Sequence, residues 1–307
     1  MINQMDTLSL HLMNTDFYIA VPENNQPDWK EKVEKWLQYV AKEWSRFEDN
    51  NELSKLNRLK VGNTMQISTL LFDCLSKANH YYLLSDGLFS PYLKRQLEQH
   101  GYNQSFPLER IVNEPIKIDI VKSLPFEFLH NQKVLKLANQ EVDLGGFAKG
   151  YAIERVALWL QSQGFTEYGI VDGGGDMKMW SDGKKEWTIG IAHPLDKDRE
   201  ISYIKMKTGA IATSNCLYRS WMQANTKKHH LLNGQTGEIV RTEVIQSTFV
   251  SDSLCEAEVG AKLCFLLNEN EQQLWFEKNF QQCARFVVKE DTVGYWKRSK
   301  GEIADVQ

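Results

Sequence analysis

Cysteine is scarce in this chain, and no two cysteines are spaced to act together. The five, Cys74, Cys216, Cys255, Cys264 and Cys283, are odd in number, scattered and free of any C-x-x-C pair. That excludes a disulfide framework and a zinc site, and reduced thiols in a cytoplasmic protein are the expectation. Long apolar runs are also missing: no stretch approaches the roughly eighteen residues of a membrane helix, so no transmembrane span is expected. Residues 1–12 carry Asp6 and lack a basic flank, a continuous apolar core and a cysteine. Neither a signal peptide nor a lipoprotein anchor is therefore expected. Excess positive charge is absent too. Lysine and arginine number 36 against 40 acidic residues, a net charge of −4, which argues against a nucleic-acid or anionic-membrane partner. Repeats, low-complexity segments and linkers are likewise lacking.

The 307 residues are 42% hydrophobic and 25% charged, an ordinary globular balance with ample core. An apolar stretch ending at residues 17–21 reads as a strand. Pro27-Asp28 opens a helix whose buried face is Val33, Trp36, Leu37, Val40, Ala41, Trp44 and Phe47. Loop chemistry at residues 49–51 precedes a short element over 53–56. A second helix spans 68–84 and stops at Ser85-Asp86-Gly87. Residues 100–142 are irregular and strand-like, punctuated by Pro107, Pro115 and Pro125. A third helix starts in a glycine loop at 145–150 and ends at Gly164. Strands are expected near 168–172, 177–181, 187–192, 201–206, 210–213, 229–232 and 245–251. A last amphipathic helix covers 256–267, and a strand at 284–288 leads into a polar tail. One α+β domain over residues 1–307, with a mixed or antiparallel sheet flanked by helices, is the simplest organisation.

Two glycine loops carry the chemistry. Asp143-Leu144-Gly145-Gly146-Phe147-Ala148-Lys149-Gly150-Tyr151 leads into the third helix, and Gly173-Gly174-Gly175-Asp176 follows. Main-chain N–H groups and the positive end of the macrodipole collect at a helix start and favour an anion such as a phosphate. A tight turn serving packing alone is the competing reading. The loop is neither a Walker A sequence nor G-x-G-x-x-G, so mononucleotide and Rossmann readings lose ground. Farther on, Lys228-His229-His230 precedes Asn233-Gly234-Gln235-Thr236-Gly237. His230, closing a strand before a turn, is placed to act as a base near neutral pH. A half-buried histidine pair stabilising a strand end is the alternative. Adjacent histidines on a strand face opposite sides, which disfavours a shared metal.

Taken in order, these segments resemble the FAD:protein FMN transferases, the ApbE family, over nearly the whole chain. The resemblance rests on Met13-Asn14-Thr15, on Trp44-Ser45-Arg46-Phe47 through Asn51-Glu52-Leu53-Ser54-Lys55-Leu56-Asn57, and on Gly87-Leu88-Phe89-Ser90. It continues through the intact D-L-G-G-x-A-K-G-Y run at 143–151, G-G-D at 174–176, Ala212-Thr213-Ser214-Asn215 and residues 230–237. The resemblance implies an ApbE-like, T-fold-related architecture. It implies transfer of FMN from FAD to a threonine hydroxyl of a target flavoprotein, with release of AMP and with magnesium at the pyrophosphate. His230 would be the base, and Phe47 would stack on the isoalloxazine where the family usually has tyrosine. Met13, Leu88, Phe89 and Ser90 would line the nucleotide pocket with Thr213 and Leu231, and Asp143 and Lys149 would lie near ribose and phosphates. A degenerate FAD binder, or an FAD pyrophosphatase using water in place of threonine, are the alternative readings.

The departures from the family pattern cluster at the implied metal site. Its positions are the Gly146 carbonyl, Glu258 where the family has aspartate, and Lys262 where it has threonine. Protonated lysine has no lone pair for magnesium. Positions 258 and 262 are i and i+4 on one helix face. Two readings stay open: Lys262 places its ammonium where the cation would sit, or the pair is a solvated surface salt bridge. Asn233-Gly234 for Asp-Pro, Asn215 for glycine and Ser90 for aspartate are further differences. The acceptor is expected to be another protein.

Overall fold

The strand signal at residues 17–21 folds as the second arm of a hairpin. β1 (Met5–Leu12) pairs antiparallel with β2 (Thr15–Pro22), and Met13 and Asn14 between them take φ of 53° and 56°. Two consecutive positive φ values make the tight turn whose twist matches the paired strands. This geometry comes from a computed structural model that describes residues 5–23, 28–108, 124–290, 294–298 and 305–306. Pro27 and Pro115 lie outside the described residues.

After the hairpin come α1 (Trp29–Glu43), α2 (Glu52–Asn57), β3 (Thr64–Gln66), α3 (Thr69–Leu84), α4 (Lys94–Gln99), β4 (Phe126–Phe128) and β5 (Lys133–Lys136). The glycine loop then feeds α5 (Ala148–Ser162), and the strands β6 (Tyr168–Gly173), β7 (Asp176–Ser181), β8 (Trp187–His193), β9 (Asp196–Met206) and β10 (Gly209–Asn215) follow. A short hairpin of β11 (Ser220–Gln223) and β12 (Thr226–His229) precedes β13 (Val244–Ser251), α6 (Leu254–Leu266) and α7 (Glu269–Asn279). The described chain closes with β14 (Cys283–Lys289), β15 (Tyr295–Arg298) and β16 (Asp305–Val306). None of these helices is long and apolar enough to cross a membrane.

The described residues fall into two compact units. The first lies within Met1–Gln38, Lys149–Asn215 and Thr242–Gln307, the second within Tyr39–Ala148 and Cys216–Arg241. The first unit is built on an antiparallel sheet of eight strands in the order β1-β2-β6-β7-β10-β13-β14-β15, with a smaller sheet β16-β9-β8. The second unit holds the sheet β3-β5-β4 and the β11-β12 ribbon, with α2, α3 and α4. The α+β class with antiparallel sheets and flanking helices is as expected from the sequence.

Several elements differ from the sequence reading for identifiable reasons. The apolar stripe of α1 was expected to run through Phe47, but the helix ends at Glu43. Asn51 stops it: its Nδ2 donates to the carbonyls of Lys42 (2.8 Å) and Ser45 (2.6 Å), while its Oδ1 accepts from Ser54 N and caps α2. One amide thus closes one helix and opens the next. The expected strand at 229–232 is displaced to 226–229, because pairing with β11 sets its register around a turn in which Ala224 and Asn225 take positive φ. Leu232 instead packs with Leu93 and Leu97. The polar helix α7 was not expected; its signal was the capping box of Asn268 and Glu271.

Helix α6 is seated on β10 and β13 and is buried around almost its whole circumference, Gly260 included. A Cβ at Gly260 would lie 2.6 Å from a ring carbon of Phe249, itself wholly buried and packed on Phe276. Glycine is there for space. Gly260→Ala should therefore lower stability by about 1–3 kcal/mol in urea unfolding, despite alanine's higher helix propensity; an unchanged midpoint would show that the helix can withdraw from the sheet.

Candidate functional site

In the first unit, the two glycine loops are organised by carboxylates. The turn between β6 and β7 is Gly174-Gly175, with φ of 71° and 92°. Gly175 N donates to Asp172 Oδ1 at 2.8 Å. A side chain at Gly174 would overlap the hydroxyl of Thr15, so this position needs glycine for both its backbone angle and its neighbour. Asp176 then leaves the turn and divides its two oxygens. Oδ2 pairs with Lys149 Nζ at 2.5 Å, and Oδ1 accepts from Thr213 N at 2.9 Å. Lys149 also donates to the Gly173 carbonyl at 2.8 Å. Thr213 completes the link to the next strand through a 2.8 Å contact between its hydroxyl and that of Thr248.

Glu258 on α6 holds the start of α5. Its Oε1 accepts the Gly150 N–H at 3.0 Å, a carboxylate at the positive end of a helix. Gly150 has no room for a side chain, since a Cβ would sit 2.9 Å from the Glu258 carboxyl carbon. Glu258 Oε2 is buried and makes no hydrogen bond; the Lys262 ammonium stands 3.6 Å away. Lys262 Nζ donates instead to the Glu258 main-chain carbonyl at 3.1 Å. Burial raises the Glu258 pKa above the ordinary glutamate value, with Lys262 opposing the shift. Burial raises Asp172 likewise, against the Gly175 N–H.

These facts decide between two readings of the Glu258–Lys262 pair. The side chains are 4% and 18% exposed, so this is not a solvated surface bridge. Nor does the donor set fit magnesium, which wants near-octahedral oxygen ligands. One Glu258 oxygen is committed to Gly150, the other faces an ammonium, and lysine supplies no lone pair. Among the described residues no group of three or more histidine, cysteine, aspartate or glutamate side chains could hold an ion.

The phosphate-loop expectation is also modified. Gly145 gives its N–H to Asp143 Oδ1 at 2.5 Å and Gly150 gives its own to Glu258, so two of the loop's donors serve the chain's own carboxylates. Gly146 lies between them, and its carbonyl is the atom the family resemblance singles out. Met13 sits at the β1–β2 turn, half-buried.

In the second unit, Asp143 pairs with Arg46. The Nε–Oδ2 distance is 3.1 Å, and the side chains are 5% and 8% exposed. Asp143 N donates to the Pro91 carbonyl at 2.8 Å. The Arg46 guanidinium lies 4.4 Å from the Phe47 ring centre and 4.3 Å from that of Tyr102. Phe47 itself is 38% exposed, its ring packed against the Arg46 guanidinium and against Tyr102 at 6.0 Å between ring centres. The sequence alone assigns no role to Arg46 or Asp176; their place inside the segments 44–57 and 174–176 is the only local signal for either.

The residues 87–90 and 230–237 meet. Gly234 N donates to Leu88 O at 2.9 Å, Gln235 Nε2 to Asp86 O at 2.7 Å, and a side chain at Gly234 would collide with the Gly87 carbonyl. Phe89 is buried against Phe147, Ser90 Oγ accepts from Tyr92 N at 3.2 Å, and Leu231 is buried. His229 Nε2 donates to Val240 O at 3.1 Å and its Nδ1 accepts from Leu231 N. Burial lowers its pKa, so it stays neutral with both nitrogens in use. His230, just past the end of β12 and half-buried, has Nδ1 at 3.4 Å from Arg219 O. Against a carbonyl Nδ1 is the donor, which makes Nε2 the unprotonated nitrogen of the neutral ring.

The sequence model of the ApbE family matches residues 13–287. A FAD:protein FMN transferase of Vibrio cholerae is 24% identical over 270 residues, covering 85% of this chain and 79% of the relative. A FAD:protein FMN transferase of Rhodobacter capsulatus is 21% identical over 251 residues; 80% of this chain spans 48% of that longer protein. Among solved structures, an ApbE protein of Thermotoga maritima aligns over 97% of both chains with a TM-score of 0.83 at 23% identity, a likeness of fold.

Removing one partner of a buried ion pair strands the other. Asp143→Asn should cost about 3–5 kcal/mol in denaturant unfolding, and adding Arg46→Met should restore much of it. If the double variant is no more stable than the single one, the pair is not the reason for the loss.

Proposed function

The chain belongs to the ApbE family, and from that premise we propose that it transfers FMN from FAD to a threonine hydroxyl of an acceptor flavoprotein, releasing AMP. The observation that supports this reading is the junction of residues 87–90 with 230–237, clamped by the Gly234–Leu88 hydrogen bond, with His230 just upstream of the clamped turn. In this reading His230 Nε2 takes the proton from the threonine hydroxyl. The threonine oxygen forms a bond to the phosphorus on the FMN side of the pyrophosphate, the P–O bond to the AMP phosphate breaks, and AMP leaves. The proton ends on the imidazole, whose Nδ1 is steadied by the Arg219 carbonyl.

The remaining roles are proposals of the same reading. In the second unit, the exposed Phe47 ring stacks on the isoalloxazine, Leu88, Phe89, Ser90 and Leu231 shape the nucleotide site, and Asp143 fixes the loop through Gly145 and Arg46. In the first unit, Met13, Lys149 and Thr213 serve the nucleotide. Lys149 is positively charged, anchored on Asp176 and adjacent to Gly150, which suits it to the electrostatic stabilisation of a phosphoryl-type transition state. No step runs through a metal, because the side chains at 258 and 262 do not suit one. That same mismatch supports a second reading, a protein that retains FAD without transferring FMN.

One assay separates the two. The protein is incubated with FAD and a threonine-bearing acceptor domain, and FMN-labelled acceptor and AMP are sought by mass spectrometry. Labelled acceptor is expected; bound FAD with no product would select the binding reading. His230→Ala should reduce transfer by roughly 10²–10⁴-fold while FAD affinity stays nearly unchanged. Retained turnover in that variant would remove His230 as the base.

A further inference from the structure

Lys262 has an unusual station. It lies on a helix buried nearly all round, four residues from a carboxylate that is itself buried. Its ammonium has three protons and one hydrogen bond, to the Glu258 carbonyl at 3.1 Å. Glu258 Oε2, 3.6 Å away, is too far to take a second and is left with no hydrogen bond at all. The other lysine in the cluster is differently committed: Lys149 donates to both Asp176 and Gly173. Lysine side chains seldom stay on an apolar helix without cause, since a hydrocarbon residue would avoid the cost of desolvating the charge. At 18% exposure the Lys262 side chain is largely covered but not sealed from solvent.

A divalent ion on Glu258 Oε2 would have to share that oxygen with the ammonium, two cations contesting one lone-pair region. The two roles are mutually exclusive. We propose that Lys262 is a built-in cation that supersedes a metal ion beside the first turn of α5, where its uncommitted N–H groups bind a phosphate of the dinucleotide directly. This rests on FAD being the substrate. Glu258 then accepts the Gly150 N–H with one oxygen and balances the charge of the ammonium, 3.6 Å from the other. Magnesium, having no site to enter, is dispensable.

The test uses the full-length protein as wild type, Lys262→Thr and Lys262→Arg. Magnesium is titrated calorimetrically into the FAD-free protein, and FAD affinity is measured by flavin fluorescence with magnesium or with EDTA. The wild type should give no magnesium isotherm and the same FAD affinity in both conditions. Lys262→Thr should bind FAD roughly 10- to 100-fold more weakly in EDTA, the loss expected of one charge-assisted contact, and should gain part of it back with magnesium. Lys262→Arg, which keeps the charge, should remain insensitive to EDTA and guards against a fault of folding in the threonine variant. A single-site magnesium isotherm in the wild type, or loss of its FAD affinity in EDTA, would overturn the proposal, as would Lys262→Thr binding FAD with wild-type strength in EDTA. If the wild type binds no FAD under any condition, the functional reading fails, and the magnesium titration of the free protein still judges the displacement of the metal.

Discussion

Everything at the loop edge of the first unit depends on how two carboxylates are shared. Asp176 joins α5, the β6–β7 turn and β10 by giving one oxygen to Lys149 and the other to the Thr213 N–H. Glu258 joins α6 to α5 through Gly150. Each acid is desolvated, and each is compensated by a lysine close at hand, so neither can be altered without stranding a charge. The glycines follow from this. Gly150 and Gly174 are small because a carboxylate and a hydroxyl occupy the space their side chains would need.

The second unit solves its own problem with different means. Its loop is fixed by the buried Arg46–Asp143 pair and by main-chain contacts, Gly234 to Leu88 and Asp143 to Pro91. The two adjacent histidines are bonded differently. His229 spends both ring nitrogens on main-chain partners and burial lowers its pKa, whereas His230 Nδ1 stands 3.4 Å from the Arg219 carbonyl.

Much of this was legible in the sequence. The strands at 168–173, 176–181 and 244–251 and the helix over 69–84 with its stop at Ser85 follow the sequence reading closely, because caps, turns and apolar periodicity are local signals. What was not legible depended on distant partners. The i, i+4 spacing of Glu258 and Lys262 looks the same on a wet helix as on a buried one, and only the sheet beneath α6 distinguishes them. Periodicity alone carried α1 through to Phe47, since the residue that ends it, Asn51, acts from beyond the helix. Arg46 was hidden for the same reason: its counter-ion Asp143 is remote in sequence. The glycine loop signalled a close approach correctly, but the groups approaching at Gly145 and Gly150 are the chain's own acids.

The Asn51 side chain has a bearing on how this protein can change over generations. Because the same amide ties down the carbonyls of Lys42 and Ser45 and starts the helix at Glu52, the intervening stretch is a clasp of fixed length. Arg46 and Phe47 sit inside it. Elsewhere surface connections drift freely in length among descendants of a common ancestor; here an inserted or deleted residue would undo both helix ends at once. The clasp leaves the identities of the residues between Ser45 and Asn51 open, but it fixes their number.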